Sequence, residues 1–67
     1  MYTFRNVTSN AISKIGYDKT TKRMAVIFHH GREYEYEGVS EDTFKQFINA
    51  PSIGKFYNQH VKGLLPK

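Results

Sequence analysis

The stretch KRMAVIFHHGREYEYEG, residues 22–38, decides how this chain folds. Met24, Val26 and Phe28 alternate with Ala25, Ile27 and His29, and Tyr34 and Tyr36 alternate with Glu33, Glu35 and Glu37. A period of two in β-branched and aromatic residues is the strand signal. His30-Gly31 supplies the turn between the two arms, since glycine accepts a positive φ at no steric cost. A two-residue loop there would set Phe28 opposite Glu33 and Val26 opposite Glu35, mixing acids with apolar groups on one face. Pairing Phe28 with Tyr34 and Val26 with Tyr36 collects the large apolar groups on one side. That register needs an odd loop or a bulge near His30, Gly31 and Arg32. Both tyrosines then point toward the core, and Glu33, Glu35 and Glu37 face outward beside Ala25, Ile27 and His29.

Working outward, Ala11 to Asp18 reads as the preceding strand, with Ser13, Ile15 and Tyr17 on one face and Ile12, Lys14 and Gly16 on the other. Asp18-Lys19-Thr20-Thr21 is a turn in which the Asp carboxylate accepts a following backbone N–H. Met1 to Val7 reads as an N-terminal arm or edge strand, with Tyr2 and Phe4 on one face and Val7 at the core rim. The period changes at Val39. Ser40 is a good N-cap, Glu41 and Asp42 suit the positive end of a helix, and Val39 and Phe44 have the spacing of a hydrophobic staple. Phe44, Phe47 and Ile48 form the apolar stripe. Pro51 ends this helix, and Ser52 caps a second whose apolar side is Ile53, Phe56, Tyr57, His60 and Val61. Gly63 suits a left-handed C-cap, with Leu64 packing back and Pro66 stopping the helix. The sum is an α+β domain. It is a three-stranded antiparallel β-meander, four-stranded if the N-terminal arm pairs, with two short C-terminal helices packed on one face.

The chain has 67 residues, enough for one domain over residues 1–67. A domain of this size buries only about 60% of its unfolded surface. It has no Cys, which removes disulfides and thiolate metal sites. No apolar run approaches a membrane span or a signal peptide, so a soluble, cytoplasmic protein is expected, with a monomer as the default. The net charge is +4. Residues 33–42 carry five acids and no base, whereas residues 43–67 carry four lysines and no acid. An acidic patch on the central strand and helix start is therefore set against basic surface elsewhere, an anion footprint or an ordinary solvated surface.

A series of residues in order along nearly the whole chain resembles the KTSC domain family, named for the C-terminal domain of some lysyl-tRNA synthetases. The series is Ser9, Ile15-Gly16-Tyr17-Asp18, Met24-x-Val26-x-Phe28, Gly31, Tyr34-x-Tyr36, Val39 and Ala50-x-Ser52-x-Gly54-Lys55-Phe56-Tyr57-Asn58. The chain departs from the pattern at its end, where Leu64-Leu65-Pro66-Lys67 stands in place of a terminal aromatic. The resemblance supplies no established catalytic activity or cofactor to carry over, and a non-enzymatic role is expected. Its link to a tRNA-charging enzyme implies RNA binding, to tRNA or to single strands.

Ser52-Ile53-Gly54-Lys55, with Asn58 and Lys62 following, offers a hydroxyl, free N–H groups at a helix start, an approachable glycine and two lysines. That set could seat a phosphate. With one Gly it is not a Walker A loop. The plainer reading is that Ser52 caps, Gly54 allows close packing and the lysines are solvated. Lys14 and Arg32, with His29, mark the open sheet face as a second contact surface. Tyr34 and Tyr36 could stack on bases only if exposed, and the helices need that same face. His29 and His30 are adjacent and His60 is remote, so no metal site is expected. A protein-interaction role, or that of a small phage-type adaptor or inhibitor, would use the acidic strand 33–37 and Ile27 to dock a basic partner.

Overall fold

The computed structural model describes residues 1–62; the helix end expected from Gly63, Leu64 and Pro66 lies outside the described residues. Four strands form one antiparallel sheet in chain order: β1 Thr3–Asn6, β2 Ile12–Asp18, β3 Arg23–Phe28 and β4 Glu33–Tyr36. Helix α1 spans Glu41–Ile48. Helix α2 spans Ile53–Phe56 and runs on into a π-helical turn over Tyr57–Val61, closed by the Lys62 N–H donating to the Tyr57 carbonyl at 2.7 Å. The N-terminal arm is thus a true edge strand, and the sheet is the four-stranded form of the expected meander.

In the central hairpin Met24 pairs with Tyr36 and Val26 with Tyr34, two residues away from the expected register. The turn supplies the reason. Gly31 N–H donates to the Phe28 carbonyl and Phe28 N–H donates to the Arg32 carbonyl, both at 2.9 Å, which closes a three-residue loop, His29-His30-Gly31. Such a loop wants its last residue in the left-handed region. Gly31, with φ of 96°, holds that place only in the observed register. A shift of two preserves parity, so every side chain of the hairpin keeps its expected face.

Ile12 does change face. It pairs with Phe28 while Lys14 pairs with Ile27, so Ser13 is the extra residue of a bulge. The bulge turns Ile12 into the core beside Ile15 and Tyr17, away from Lys14 and Gly16. The core lies between the sheet and the helices: Ile12, Ile15, Met24, Val26, Tyr36, Val39, Phe44, Phe47, Ile53 and Val61 are all buried. Tyr36 is 2% exposed and Tyr34 half-buried, so the middle motif points inward as expected. The Tyr36 hydroxyl meets that of Tyr57 at 2.9 Å. Burial, reinforced by the Tyr57 contact, pushes its ionisation upward. Tyr17 stacks on Phe44 at 4.9 Å and donates to the Val39 carbonyl at 2.6 Å, fixing the entry to α1. Ser40 caps α1 by accepting from Thr43 N–H at 3.2 Å, and Asn49 closes it by donating to the Lys45 carbonyl at 2.9 Å.

The other sheet face is not open along its centre. Tyr2 and Phe4 of the N-terminal arm share that face, and Phe4 lies across the small residue of its partner strand. A Cβ on Gly16 would sit 2.5 Å from the Phe4 ring. Ala25, next to Gly16 in the ladder, is fully buried although it faces away from the helices. Tyr2 donates its hydroxyl to Glu35 at 2.8 Å. Burial first, then the Glu35 carboxylate, raises its ionisation to about 12. Glu35 is thus half-buried and engaged, not a solvated edge acid.

Candidate nucleic-acid interface

The segment singled out in the sequence begins where Pro51 stops α1 and Ser52 restarts the chain as a helix. Ser52 is extended, and its hydroxyl accepts the Lys55 N–H at 3.3 Å. This satisfies one of the free donors of the helix start. The plainer reading of Ser52 therefore holds as far as its cap goes. The plainer reading of Gly54 does not: a Cβ there would meet nothing within 4 Å. No packing contact demands a glycine, yet a helical glycine costs roughly 1 kcal/mol against alanine. Its backbone opens into a groove of about 390 Å³ shared with Thr8, Ser9, Asn10 and Ala11.

That facing loop is held by hydrogen bonds at both ends. The Ser9 hydroxyl accepts N–H groups of Ala11 and Ile12 at 3.2 Å, its carbonyl lies 2.8 Å from His29 Nε2, and the Ala11 carbonyl accepts the His29 N–H at 2.9 Å. His29 thus clips the β1–β2 loop to the β3–β4 turn and does not line an open sheet face. Ser9 and His29 lie twenty residues apart in the sequence. The signal available was Ser9 within the family pattern; their meeting depends on the bulge and the hairpin register.

Lys55, Asn58 and Lys62 are all exposed, on a segment whose Ile53 and Val61 are buried. Neither lysine has an ion-pair partner among the described residues. Ser52 and Gly54 share the groove, and the three polar residues follow along the same helical run. Lys14 stands apart. Its neighbour Ile15 faces the core, so strand alternation turns Lys14 to the sheet face away from the helices. Arg32 sits past the hairpin turn and donates to the Tyr34 hydroxyl at 3.3 Å. His30 stacks on Phe28 at 5.5 Å and His60 leans on Phe56 at 4.6 Å. No group of three His, Cys, Asp or Glu placed to hold a metal ion occurs among the described residues. None of their helices is long and apolar enough to cross a membrane.

The family model described as KTSC domain matches residues 8–64. The chain belongs to the KTSC domain family. A crystal structure of a KTSC domain protein from Yersinia pestis superposes with a TM-score of 0.93 at 31% identity, over 100% of this chain and 96% of that one. This KTSC domain is also similar to a protein of Tsukamurella paurometabola, 38% identical over 56 residues, with 84% of each chain covered. A third relative is a lysine–tRNA ligase of Nostoc punctiforme, 32% identical over 54 residues. That is 81% of this chain and 10% of the ligase. The domain thus resembles one segment of a much longer enzyme, and in the other two relatives it accounts for most of the protein.

Proposed function

We propose that this KTSC domain is a non-enzymatic binding module for RNA that works through phosphate contacts. Ser52, the Gly54 backbone, Lys55, Asn58 and Lys62 form its binding surface, with Arg32 and Lys14 as outlying support. The observation that carries the reading is the likeness to a segment of a lysine–tRNA ligase, an enzyme whose name places RNA among its substrates. Two features of the chain support it: unpaired lysines on a helical run, and a glycine whose openness no internal contact explains. Base stacking on the middle motif is disfavoured, because Tyr36 is buried and its hydroxyl is engaged with Tyr57.

Fluorescence anisotropy with tRNA and with single-stranded RNA tests the reading. Binding should weaken steeply between low and moderate salt, because neutralised phosphates release counterions. Lys55→Glu with Lys62→Glu should abolish it. A flat titration at micromolar protein, or binding that survives the double reversal, refutes the reading. Gly54→Ala separates the two accounts of the glycine. It should raise stability by about 0.5–1 kcal/mol through helix propensity and weaken RNA binding at the same time.

The alternative of a basic protein partner docking on the acidic strand has less support. β4 is a free edge, but Glu35 is held by Tyr2 and Glu37 pairs with Arg23 at 3.2 Å. Nuclease-resistant capture of one protein from lysate would favour it.

A further inference from the structure

We infer that the opposite edge of the sheet, β1, is a docking site for an extended acidic peptide, which adds to the sheet as a fifth strand. Two independent features meet there. One is backbone. β1 ends the sheet, and Val7 N–H donates to the Ser13 carbonyl at 3.3 Å. Hydrogen-bonded pairs alternate along an antiparallel ladder, so Thr3 and Arg5 bond to β2 while the backbone groups of Phe4 and Asn6 point off the edge. Alternating free donors and acceptors suit another peptide backbone.

The other feature is a groove of about 360 Å³ between β1 and α1. The helices leave the inner side of β1 uncovered, and Thr3 and Arg5 are exposed there. Tyr17, Phe44 and Ile48 give the groove an apolar lining. Its two acids are already matched. Asp18 holds the Met1 ammonium at 2.7 Å, and Glu41 lies 3.8 Å from Lys45. Arg5 and Lys19 also line the groove and have no ion-pair partner among the described residues. Arg5 sits at the Ile15 end of β1. Lys19 follows Asp18, beyond the Thr3–Tyr17 pair, at the other end. The two cations are therefore separated by about four strand residues, roughly 13 Å at the strand rise. A strand laid beside β1 presents every second side chain to the groove. The matching ligand has the pattern acid-x-apolar-x-acid, its apolar side chain reaching Phe44 and Ile48. RNA suits the place poorly: it has no peptide backbone to pair with the free N–H and C=O groups of the edge. This site shares no residue with the RNA surface proposed above.

The probe is the labelled peptide acetyl-Thr-Glu-Thr-Leu-Thr-Glu-Thr-amide, titrated into the full chain and followed by polarisation and amide NMR shifts. Saturable binding with shifts at Phe4 and Asn6 is expected, and a peptide with Lys in place of both Glu should not bind. Arg5→Glu with Lys19→Glu should weaken binding about tenfold or more, since two exposed ion pairs become repulsions. Asn6→Pro deletes an outward N–H while sparing the ladder to β2. It should weaken binding at least several-fold, with the other amide shifts reporting an intact fold. The inference is overturned if the peptide fails to bind at millimolar concentration or shifts α2 in place of β1. It is also overturned if binding ignores the charge reversal, or if single-stranded RNA displaces the peptide from β1. Loss of RNA binding in Lys55→Glu with Lys62→Glu leaves this result unchanged, so the two readings fail separately.

Discussion

The helix-covered face of the sheet and the face behind it both bury side chains, and they do so by different means. On the first, Tyr36, Phe47, Ile15 and Val26 interlock with two helices in a packed layer. On the second there is no layer. Gly16 and Ala25 keep the surface low, and the rings of Tyr2 and Phe4 come from the N-terminal arm to lie over it. Ala25, between Gly16 and Glu35 in the ladder, is completely buried while Phe4 itself remains 44% exposed. Depth of burial thus depends on what stands beside a residue as much as on which face it occupies.

The comparison can be broken most forcefully in the packed layer. Phe47→Ala removes a fully buried ring that stacks on Phe56 at 5.2 Å. It should cost about 3–5 kcal/mol, which in so small a domain is enough to unfold most of it. Urea titration checks this. A loss under 1 kcal/mol would mean the helices contribute little.

Gly16→Val tests the thin face. The new side chain collides with Phe4, and the expected loss is about 1–3 kcal/mol. Adding Phe4→Ala should recover part of it, so the double-mutant cycle should be non-additive. Additive effects would remove the ring from the account of this face.

Lys22→Gly serves as a control outside both faces. Lys22 has φ of 59° while its carbonyl accepts the Val39 N–H at 2.9 Å, so the left-handed turn is held in place. Glycine should raise stability by about 1 kcal/mol by relieving that conformation. A falling melting temperature would contradict it.

The smallest effect sharpens the comparison through pH. The Tyr2 phenol is raised in the folded state to about 12, by burial and by its bond to Glu35. A raised acid group stabilises the fold fully below its unfolded value near 10 and loses that contribution as pH climbs through its folded value. Tyr2→Phe should cost about 1 kcal/mol at neutral pH, and the gap to wild type should close between pH 10 and 12. A constant gap would exclude the Glu35 bond as its cause.

The candidate site was legible in part. Ser52 as a cap, and the exposed Lys55, Asn58 and Lys62, could be read from spacing because a helix repeats locally. The groove opposite Gly54 could not, since its other wall comes from Thr8–Ala11, more than forty residues earlier in the chain. The separation of Lys14 from the helical lysines was legible, since alternation beside Ile15 and Tyr17 fixes its face.

By itself the sequence determined the elements and their inward faces. Alternation, capping serines and Pro51 act within a few residues, and parity survives a two-residue slip. Only tertiary structure decided the pairing register, the reversal of Ile12 at Ser13, and the closing of the rear face by Phe4 over Gly16. Each depends on a partner distant in sequence: which residue occupies the left-handed corner of a loop, and whether a ring finds a glycine beneath it. Local periodicity carries no information about such meetings, because they are settled by shape and burial once the strands lie side by side.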